Sequence, residues 1–240
     1  MSAGGLLRTR RISSLHRSPS LVETLEPRRM LSSTVAYWRF ENGTAGAAAT
    51  GTVIDSSGNG HNGTAINGPL YSATVPAAKV PQTGAADKLS MSFNGSNQRI
   101  SIPDSPPFQL TQSLTLEADF DLQGIGPKLN WSHYIVFRGD NRGGLDPYWL
   151  GIQKTSSGQL LLMFEICPAS NARVTVSAPI TMNKWYEAAG TLDNATGKMS
   201  LYLNGQLVSS TTTTTRPLGV LTGGVPGLGI GNTQSASTAQ

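Results

Sequence analysis

The strongest constraint on this chain is a nine-residue stretch in which apolar and polar side chains alternate without a break. From Leu114 to Leu122 every second residue is apolar, and the residues between are Thr115, Glu117, Asp119 and Asp121. Successive side chains of a β-strand point to opposite faces, so this pattern predicts a strand with one buried and one exposed face. Such a strand must bury its apolar face against a second layer of structure.

Shorter segments of the same kind lie on both sides of this strand. Those predicted as strands are Val35–Phe40, Leu89–Phe93, Arg99–Ile102, His133–Phe137, Tyr148–Ile152, Gln159–Ile166, Arg173–Val176, Trp185–Leu192 and Gly227–Gly231. Lys198–Val208 predicts a hairpin, because Asn204-Gly205 is the pair that a type I′ turn prefers. Many short strands, 27 glycines and 14 prolines for the turns, and no amphipathic helical pattern predict an all-β sandwich or barrel.

The net charge of +4 lies wholly in the first 31 residues, which contain six arginines and two glutamates. The rest of the chain is neutral, so the folded part has no electrostatic footprint for nucleic acid. No segment approaches the ~20 apolar residues of a membrane span. We expect a disordered basic leader over residues 1–33, one domain over residues 34–232 and a disordered tail over residues 233–240.

The end of the leader carries a short motif, Leu25-Glu26-Pro27-Arg28-Arg29-Met30-Leu31. It resembles the LEPR-type segment that precedes extracellular domains in one lineage of environmental bacteria, and this resemblance implies a secreted protein. A conventional signal peptide is not expected, because the leader lacks a run of about 7–15 apolar residues. The lone cysteine, Cys167, excludes an intramolecular disulfide, and its apolar neighbours predict a buried thiol.

Six segments taken in order resemble the laminin G-like jelly-roll family of the concanavalin A-like lectin and glucanase fold. They are Tyr37–Glu41, Asp55–His61, Ser92–Ser96, Leu114–Ala118, Trp185–Tyr186 and Leu201–Gly205. The resemblance implies an antiparallel β-sandwich jelly roll. It also implies an extracellular, non-catalytic module that binds glycan or mediates adhesion, with a glycan or an extracellular protein as partner.

The end of the chain departs from this family. The family closes with a strand of the type Gly-x-Ile-Asp-Glu-Val-x-Ile-Tyr beside the first strand, and nothing like it follows Gly231. We therefore expect an unpaired edge at Val35–Phe40, open to a strand donor. A calcium ion is a possible cofactor, with Asp55 and Asn59 as candidate oxygen ligands. A turn rich in Asp, Asn and Gly also forms without a metal.

A catalytic alternative rests on Glu117, Asp119 and Asp121, which share one face of the predicted strand. Laminarinase-type glycosidases use Glu-x-Asp-x-Glu on a strand of this fold, and paired carboxylates suit a nucleophile and an acid. Here the third residue is Asp121, one methylene shorter. The opposing interpretation is a solvated strand face.

The loop that joins two predicted strands mixes both charges, amides and an aromatic ring. Loops on rigid scaffolds often carry binding residues, so we predict a binding rim. Its candidate binding residues are Arg138, Asp140, Asn141, Arg142, Asp146 and Tyr148. Trp131, which follows a separate Gly/Pro/Lys loop, is a further candidate, because an exposed Trp can stack on a sugar ring. An ordinary solvated loop is the alternative, and Arg138-Gly139-Asp140 is also an adhesion-type tripeptide.

Trp38, Trp149 and Trp185 are predicted to lie in or near the core. Non-catalytic binding, glycoside hydrolysis and a structural protein-interaction role all remain open.

Overall fold

The computed structural model describes residues 34–77, 84–125, 132–140, 145–222 and 224–234. Fourteen strands run through these ranges, and the single helical element in them is a 3-10 turn, Pro106–Phe108. No helix there is long and apolar enough to cross a membrane. The strands are β1 Gly51–Val53, β2 Gly63–Ile66, β3 Leu70–Ser72, β4 Ser90–Ser92, β5 Arg99–Pro103, β6 Leu114–Asp121, β7 Ser132–Gly139, β8 Tyr148–Lys154, β9 Leu160–Ile166, β10 Val174–Ile180, β11 Trp185–Leu192, β12 Lys198–Leu203, β13 Gln206–Thr212 and β14 Gly227–Ile230.

The strands form two main sheets, and every pairing in them is antiparallel. The larger sheet has the order β1-β2-β5-β14-β7-β8-β9-β10, and the smaller has the order β13-β12-β11-β6. A two-stranded ladder, β3-β4, lies apart from both. The predicted all-β antiparallel sandwich is confirmed.

Two apolar clusters hold the sandwich together. The first joins the two main sheets through residues such as Leu116 and Ala188 on the smaller sheet and Leu150 and Phe164 on the larger one. The second lies under the other half of the larger sheet, around Ile100, with Trp38 and Phe40 of the incoming chain packed against it. The smaller sheet thus covers only one half of the larger sheet.

A buried ion pair fastens the loops at one end of the larger sheet. Arg138 is fully buried and meets the Asp104 carboxylate in a bidentate pair, with Nε–Oδ1 and Nη2–Oδ2 distances of 2.9 Å each. Arg138 also donates to the carbonyl oxygens of Leu218 and Gly219. Bidentate geometry and the extra acceptors satisfy a charge that would otherwise be costly to bury.

Most of the predicted strands are present, and β11 begins and ends where the sequence places it. In the β12–β13 hairpin Asn204 and Gly205 have φ values of 50° and 74°, as a type I′ turn requires. The strand predicted at Val35–Phe40 is wrong. That segment joins no ladder. Its backbone is held instead by side chains and backbone of the next turn: Tyr37 bonds to Asp55 and Ser56, and Asn59 bonds to residues 34 and 35.

The last strand, β14, lies in the middle of the larger sheet, between β5 and β7. Its glycines are required because the chain folds back over it: a Cβ on Gly229 would lie 2.0 Å from the carbonyl oxygen of Asn232. Thr233 and Gln234 are buried by this return. The packed region therefore runs at least to Gln234, two residues past the predicted boundary, and residues 235–240 lie outside the described part.

The Asp104–Arg138 pair predicts a large effect of Asp104→Ala. The substitution leaves a fully buried guanidinium without its counter-charge, so we expect the free energy of unfolding to fall by about 3–5 kcal/mol. The matched control is Asp87→Ala, which breaks the more exposed Arg39–Asp87 pair and should cost about 1 kcal/mol or less. Urea denaturation measures both, and equal losses would contradict this role for the pair.

Candidate functional site

The outer face of the smaller sheet presents the three carboxylates of β6. Leu114, Leu116 and Phe120 of this strand are buried, and the alternate residues point away from the core. Glu117 and Asp119 are exposed, and Asp121 is half-buried. The predicted separation of the strand into an apolar and an acidic face is therefore correct.

The register of β6 with β11 adds further residues to that face. Glu187 lies directly opposite Asp119, and Trp185 lies directly opposite Asp121. Residues opposite each other on one face are about 5 Å apart at Cβ, so these side chains are neighbours. Ala189 lies between Glu117 on one side and Tyr202 of β12 on the other, which leaves a small residue between an acid and an aromatic ring. We call Glu117, Asp119, Asp121, Trp185, Glu187 and Tyr202 the acidic face.

Crowding of carboxylates perturbs the protonation of this face. Although Glu117 is exposed, partial desolvation by the protein around it, followed by repulsion from Glu187, raises its pKa. For Asp119 the same two causes act in the same order, and Asp87 and Glu117 add to them, so its pKa rises to about 6. A carboxyl group with a pKa near 6 changes charge within the physiological range.

The carboxylate of Asp121 is only loosely held by the described residues. Its Oδ2 accepts an exposed hydrogen bond from Gln123 Nε2 at 3.3 Å, whereas its Oδ1 is buried and has no hydrogen-bond partner among them. Because Oδ1 is buried, a ligand hydroxyl would donate to Oδ2, in place of the single Gln123 hydrogen bond.

The side of the acidic face beyond β6 is bordered by the incoming chain. Arg39 pairs with Asp87, with 3.2 Å between Nη2 and Oδ1, and lies 4.0 Å from a carboxylate oxygen of Glu41. The pKa of Tyr37 is raised by burial and then by Asp87, with smaller contributions from Asp119 and Glu117. These residues therefore share the electrostatic environment of β6.

The predicted binding rim is largely taken up by packing. Arg138 is held by Asp104, and Tyr148 is buried and donates its hydroxyl to the carbonyl oxygen of Phe108 at 2.8 Å. Asp140 is also buried, so the adhesion-type tripeptide is not displayed. The prediction of an exposed rim is wrong for these three residues because all three are buried, and the polar groups of Arg138 and Tyr148 have partners inside the protein. Trp131, Asn141 and Arg142 lie outside the described residues.

Asp146 belongs to a network on the outer side of the larger sheet. Arg173 donates to Asp146 at 3.4 Å and to Glu165 at 3.0 Å, and Glu165 also accepts from the buried indole of Trp149. Burial raises the pKa of Asp146 to about 6 although Arg173 opposes the rise. These polar groups satisfy one another, and we assign the network to stability.

The candidate calcium ligands organise a turn. The Asp55 carboxylate accepts from the backbone N–H groups of Tyr37, Ser57 and His61 and from the Ser57 hydroxyl. Burial alone would raise the pKa of Asp55, but these hydrogen bonds lower it. The Asn59 amide nitrogen donates to the carbonyl oxygens of residues 34 and 35. A cation at Asp55 would have to displace these donors, and no group of three or more acids, histidines or cysteines in the described residues is arranged to hold one.

The burial predicted for the cysteine and for two of the tryptophans is confirmed in part. Cys167 is buried, as expected, and burial raises the pKa of its thiol, which disfavours the reactive thiolate. Trp149 is buried, whereas Trp185 points outward from β11 and is half-buried. The alternation of Trp185, Glu187 and Ala189 with apolar Tyr186 and Ala188 was the signal that could have placed Trp185 on the outer face.

Comparisons with known proteins agree with this architecture. Residues 94–239, more than half of the chain, match the laminin G model of the concanavalin A-like lectin/glucanases superfamily. Domain 4 of AbnA, a GH43 extracellular arabinanase from Geobacillus stearothermophilus solved with arabinotriose, is similar in structure. The TM-score is 0.51 and the identity 17%, over 80% of this chain and 86% of that one. The CBM40 module of the Ruminococcus gnavus IT-sialidase, bound to alpha2,3 sialyllactose, gives a TM-score of 0.44 at 12% identity, over 58% of this chain and 77% of that one. No curated protein matches the chain by sequence.

The crowded carboxylates predict an unusual titration of Asp119. Its pKa in the folded protein, about 6, lies above the ordinary value of 3.8, so protonation stabilises the fold as the pH falls through 6 towards 4. Carbon-13 NMR of the side-chain carboxyls should show the Asp119 inflection near pH 6, moving downward in Glu187→Gln because one repelling charge is removed. Asp193, whose pKa is lowered by its hydrogen bonds to Thr196 and Ala195, is the control and should not move. If Asp119 of the parent protein instead titrates near pH 4, desolvation and repulsion from its neighbouring carboxylates do not act on it as described.

Proposed function

Because the chain belongs to the concanavalin A-like lectin/glucanases superfamily, we propose that it is an extracellular module that binds a glycan at its acidic face and leaves the glycan intact. The leader, residues 1–33, is proposed to direct export, on the strength of the motif Leu25–Leu31. The described part of the module runs from residue 34 to Gln234.

One observation carries the proposal: Trp185 and Asp121 are direct neighbours on the outer face of the smaller sheet, and Asp121 Oδ2 is held there by one exposed hydrogen bond, from Gln123 at 3.3 Å. A sugar ring has an apolar side that can stack on an indole and a rim of hydroxyl groups that can donate to a carboxylate. Trp185 supplies the flat apolar surface, and Asp121 supplies the acceptor beside it.

The charges of the acidic face restrict the class of glycan. Glu117, Asp119 and Glu187 lie within one or two residue positions of one another, and the nearby Arg39 is already paired with Asp87. Uronic or sialic acids would be repelled by these carboxylates, whereas neutral hydroxyl-rich sugars would donate to them. The ligand class we propose is therefore a neutral oligosaccharide. Arabino-oligosaccharides are a natural first probe, because the similar arabinanase domain was solved with arabinotriose.

A second function, glycoside hydrolysis, is favoured by one observation. Asp119 has a pKa of about 6 and lies two residues from Glu117 on the same face, and enzymes tune carboxyl groups to such values for general acid catalysis. Hydrolysis would need Glu117 or Asp119 to protonate the leaving oxygen. Another carboxylate would have to attack the anomeric carbon of the sugar or activate a water for that attack. The proposed non-catalytic module needs none of these steps.

The stacking role of Trp185 predicts the effect of its removal. We expect Trp185→Ala to weaken retention of a neutral oligosaccharide by about tenfold, which corresponds to ~1.4 kcal/mol, with circular dichroism unchanged. A glycan array followed by titration calorimetry on the full chain measures this effect. Trp131→Ala is the comparison, because it removes the aromatic side chain of the rival rim. If Trp131→Ala abolishes retention and Trp185→Ala does not, the acidic face is not the binding site.

The non-catalytic assignment predicts binding without turnover. The parent protein incubated with each retained oligosaccharide should release no reducing ends between pH 4 and 8, although Asp119 changes its charge within that range. Glu117→Gln serves as the control variant, since it keeps the shape of the side chain and removes its acid. Release of reducing sugar by the parent that is lost in Glu117→Gln would replace the binding module with a hydrolase.

A further inference from the structure

A row of hydroxyl side chains crosses the outer face of the smaller sheet, beside the acidic face. Thr191 of β11 lies directly opposite Thr115 of β6 on one side and Ser200 of β12 on the other. Ser210 of β13 lies opposite Ser200 and completes the row. Met199, next to Ser200, is fully buried in the core, so Ser200 and its cross-strand neighbours point outward. We call Thr115, Thr191, Ser200 and Ser210 the hydroxyl row.

The hydroxyl groups of this row have no partners in the described part of the chain, where none of the four forms a hydrogen bond. Thr115 and Ser210 are exposed and Thr191 is half-buried, so a ligand can reach the row from outside. Ser200 forms its floor: the residue is 2% exposed, yet its hydroxyl is not fully enclosed by protein. Buried hydroxyls are usually paired, so one that opens unpaired onto a face is suited to a sugar hydroxyl, which both donates and accepts.

The outer face is low between Trp185 and the hydroxyl row. Ala189 of β11 lies between Glu117 on one side and Tyr202 on the other, and Thr191 follows it along the strand. The small side chains of Ala189 and Thr191 therefore form a floor between longer neighbours. From Trp185 to Thr191 the strand advances six residues, about 20 Å. A ligand that covers this distance is longer than a disaccharide.

The same face ends in a depression of about 490 Å³. Residues 194–197, in the turn between β11 and β12, line it together with residues 212–214 and Arg216. Thr212 lies two residues beyond Ser210 on β13, so the depression adjoins the hydroxyl row. The Arg216 guanidinium already donates to one side-chain oxygen and to three backbone carbonyls of these loops. The depression therefore offers mainly hydroxyl groups to a ligand, as a neutral sugar requires.

We propose that the glycan site extends along β11 from Trp185, over Ala189, to the hydroxyl row, with the end of the ligand in the depression. The ligand is then a linear, neutral oligosaccharide of roughly four units or more, the length needed to cover about 20 Å of strand. Branches are excluded near Ala189, where Glu117 and Tyr202 border the floor. This inference rests on the proposed function, because it lengthens the site at Trp185.

The test measures affinity against ligand length by titration calorimetry on the full chain, with arabino-oligosaccharides and cello-oligosaccharides of two to six units. In at least one series we expect the hexasaccharide to bind at least tenfold more tightly than the trisaccharide. A site that ended near Ala189 would gain only a few-fold, because a longer ligand can bind it in more registers.

Variants of the hydroxyl row locate the gain. The double substitution Thr191→Val with Ser200→Ala removes two hydroxyl groups with little change in shape. It should bind the trisaccharide as the parent does, which also shows that it is folded, and should weaken hexasaccharide binding by about tenfold. Thr115→Val, at an exposed position of β6, should weaken hexasaccharide binding alone by about threefold, and it decides the matter if the double variant does not fold. Thr211→Val is the control, because Thr211 lies opposite Met199 and outside the row, and it should match the parent at every length.

The outcomes separate the extended site from the proposed function. Equal affinity for the trisaccharide and the hexasaccharide in the parent overturns the extended site and leaves binding at Trp185 standing. A length-dependent gain that the hydroxyl-row variants retain has the same meaning. If neither series binds, or if Trp185→Ala binds every length as the parent does, the proposed function and the extended site are both overturned.

Discussion

Phe120 of β6 and Tyr186 of β11 stack inside the sandwich with 5.6 Å between their ring centroids. Because side chains alternate along a strand, the packing of these two rings fixes the orientation of their neighbours, Asp119, Asp121, Trp185 and Glu187. A slip of one residue in either strand would bury carboxylates and expose the rings, at a cost that excludes it. The core contact therefore determines which groups meet on the acidic face, and the proposed chemistry of that face depends on this pair of strands.

A second constraint lies at one end of the larger sheet. Arg138 and Tyr148 lie between the end of the larger sheet and the loops that follow β5 and β13, and their polar groups are satisfied by Asp104 and by backbone carbonyls. Polar residues that already have buried partners are poorly suited to exchange them for a ligand. The two clusters thus differ in kind. Around Arg138 the protein supplies the partners, whereas on the acidic face the Asp121 carboxylate accepts one exposed hydrogen bond among the described residues, from Gln123.

Local patterns predicted the fold well, and non-local pairings explain what they missed. The alternation in Leu114–Leu122 and in Trp185–Leu192 identified β6 and β11, and Asn204-Gly205 identified the hairpin, because each signal is contained in a few adjacent residues. The burial of Arg138 depends on Asp104, 34 positions away, so a charged loop was the natural interpretation. The central position of β14 depends likewise on pairing with β5 and β7. The three carboxylates of β6 were identified from the sequence, but Trp185 and Glu187 joined them only through the register with β11.

The central claim is that a neutral oligosaccharide binds across β6 and β11 on the outer face of the smaller sheet. Titration of the nitrogen-15-labelled full chain with such a sugar, followed in proton–nitrogen correlation spectra, locates the contact residue by residue. The account predicts the largest shifts at the Trp185 indole and at the amides of residues 117–121 and 185–189. Shifts confined to Trp131 and the loop between β7 and β8, with β6 and β11 unchanged, would contradict it.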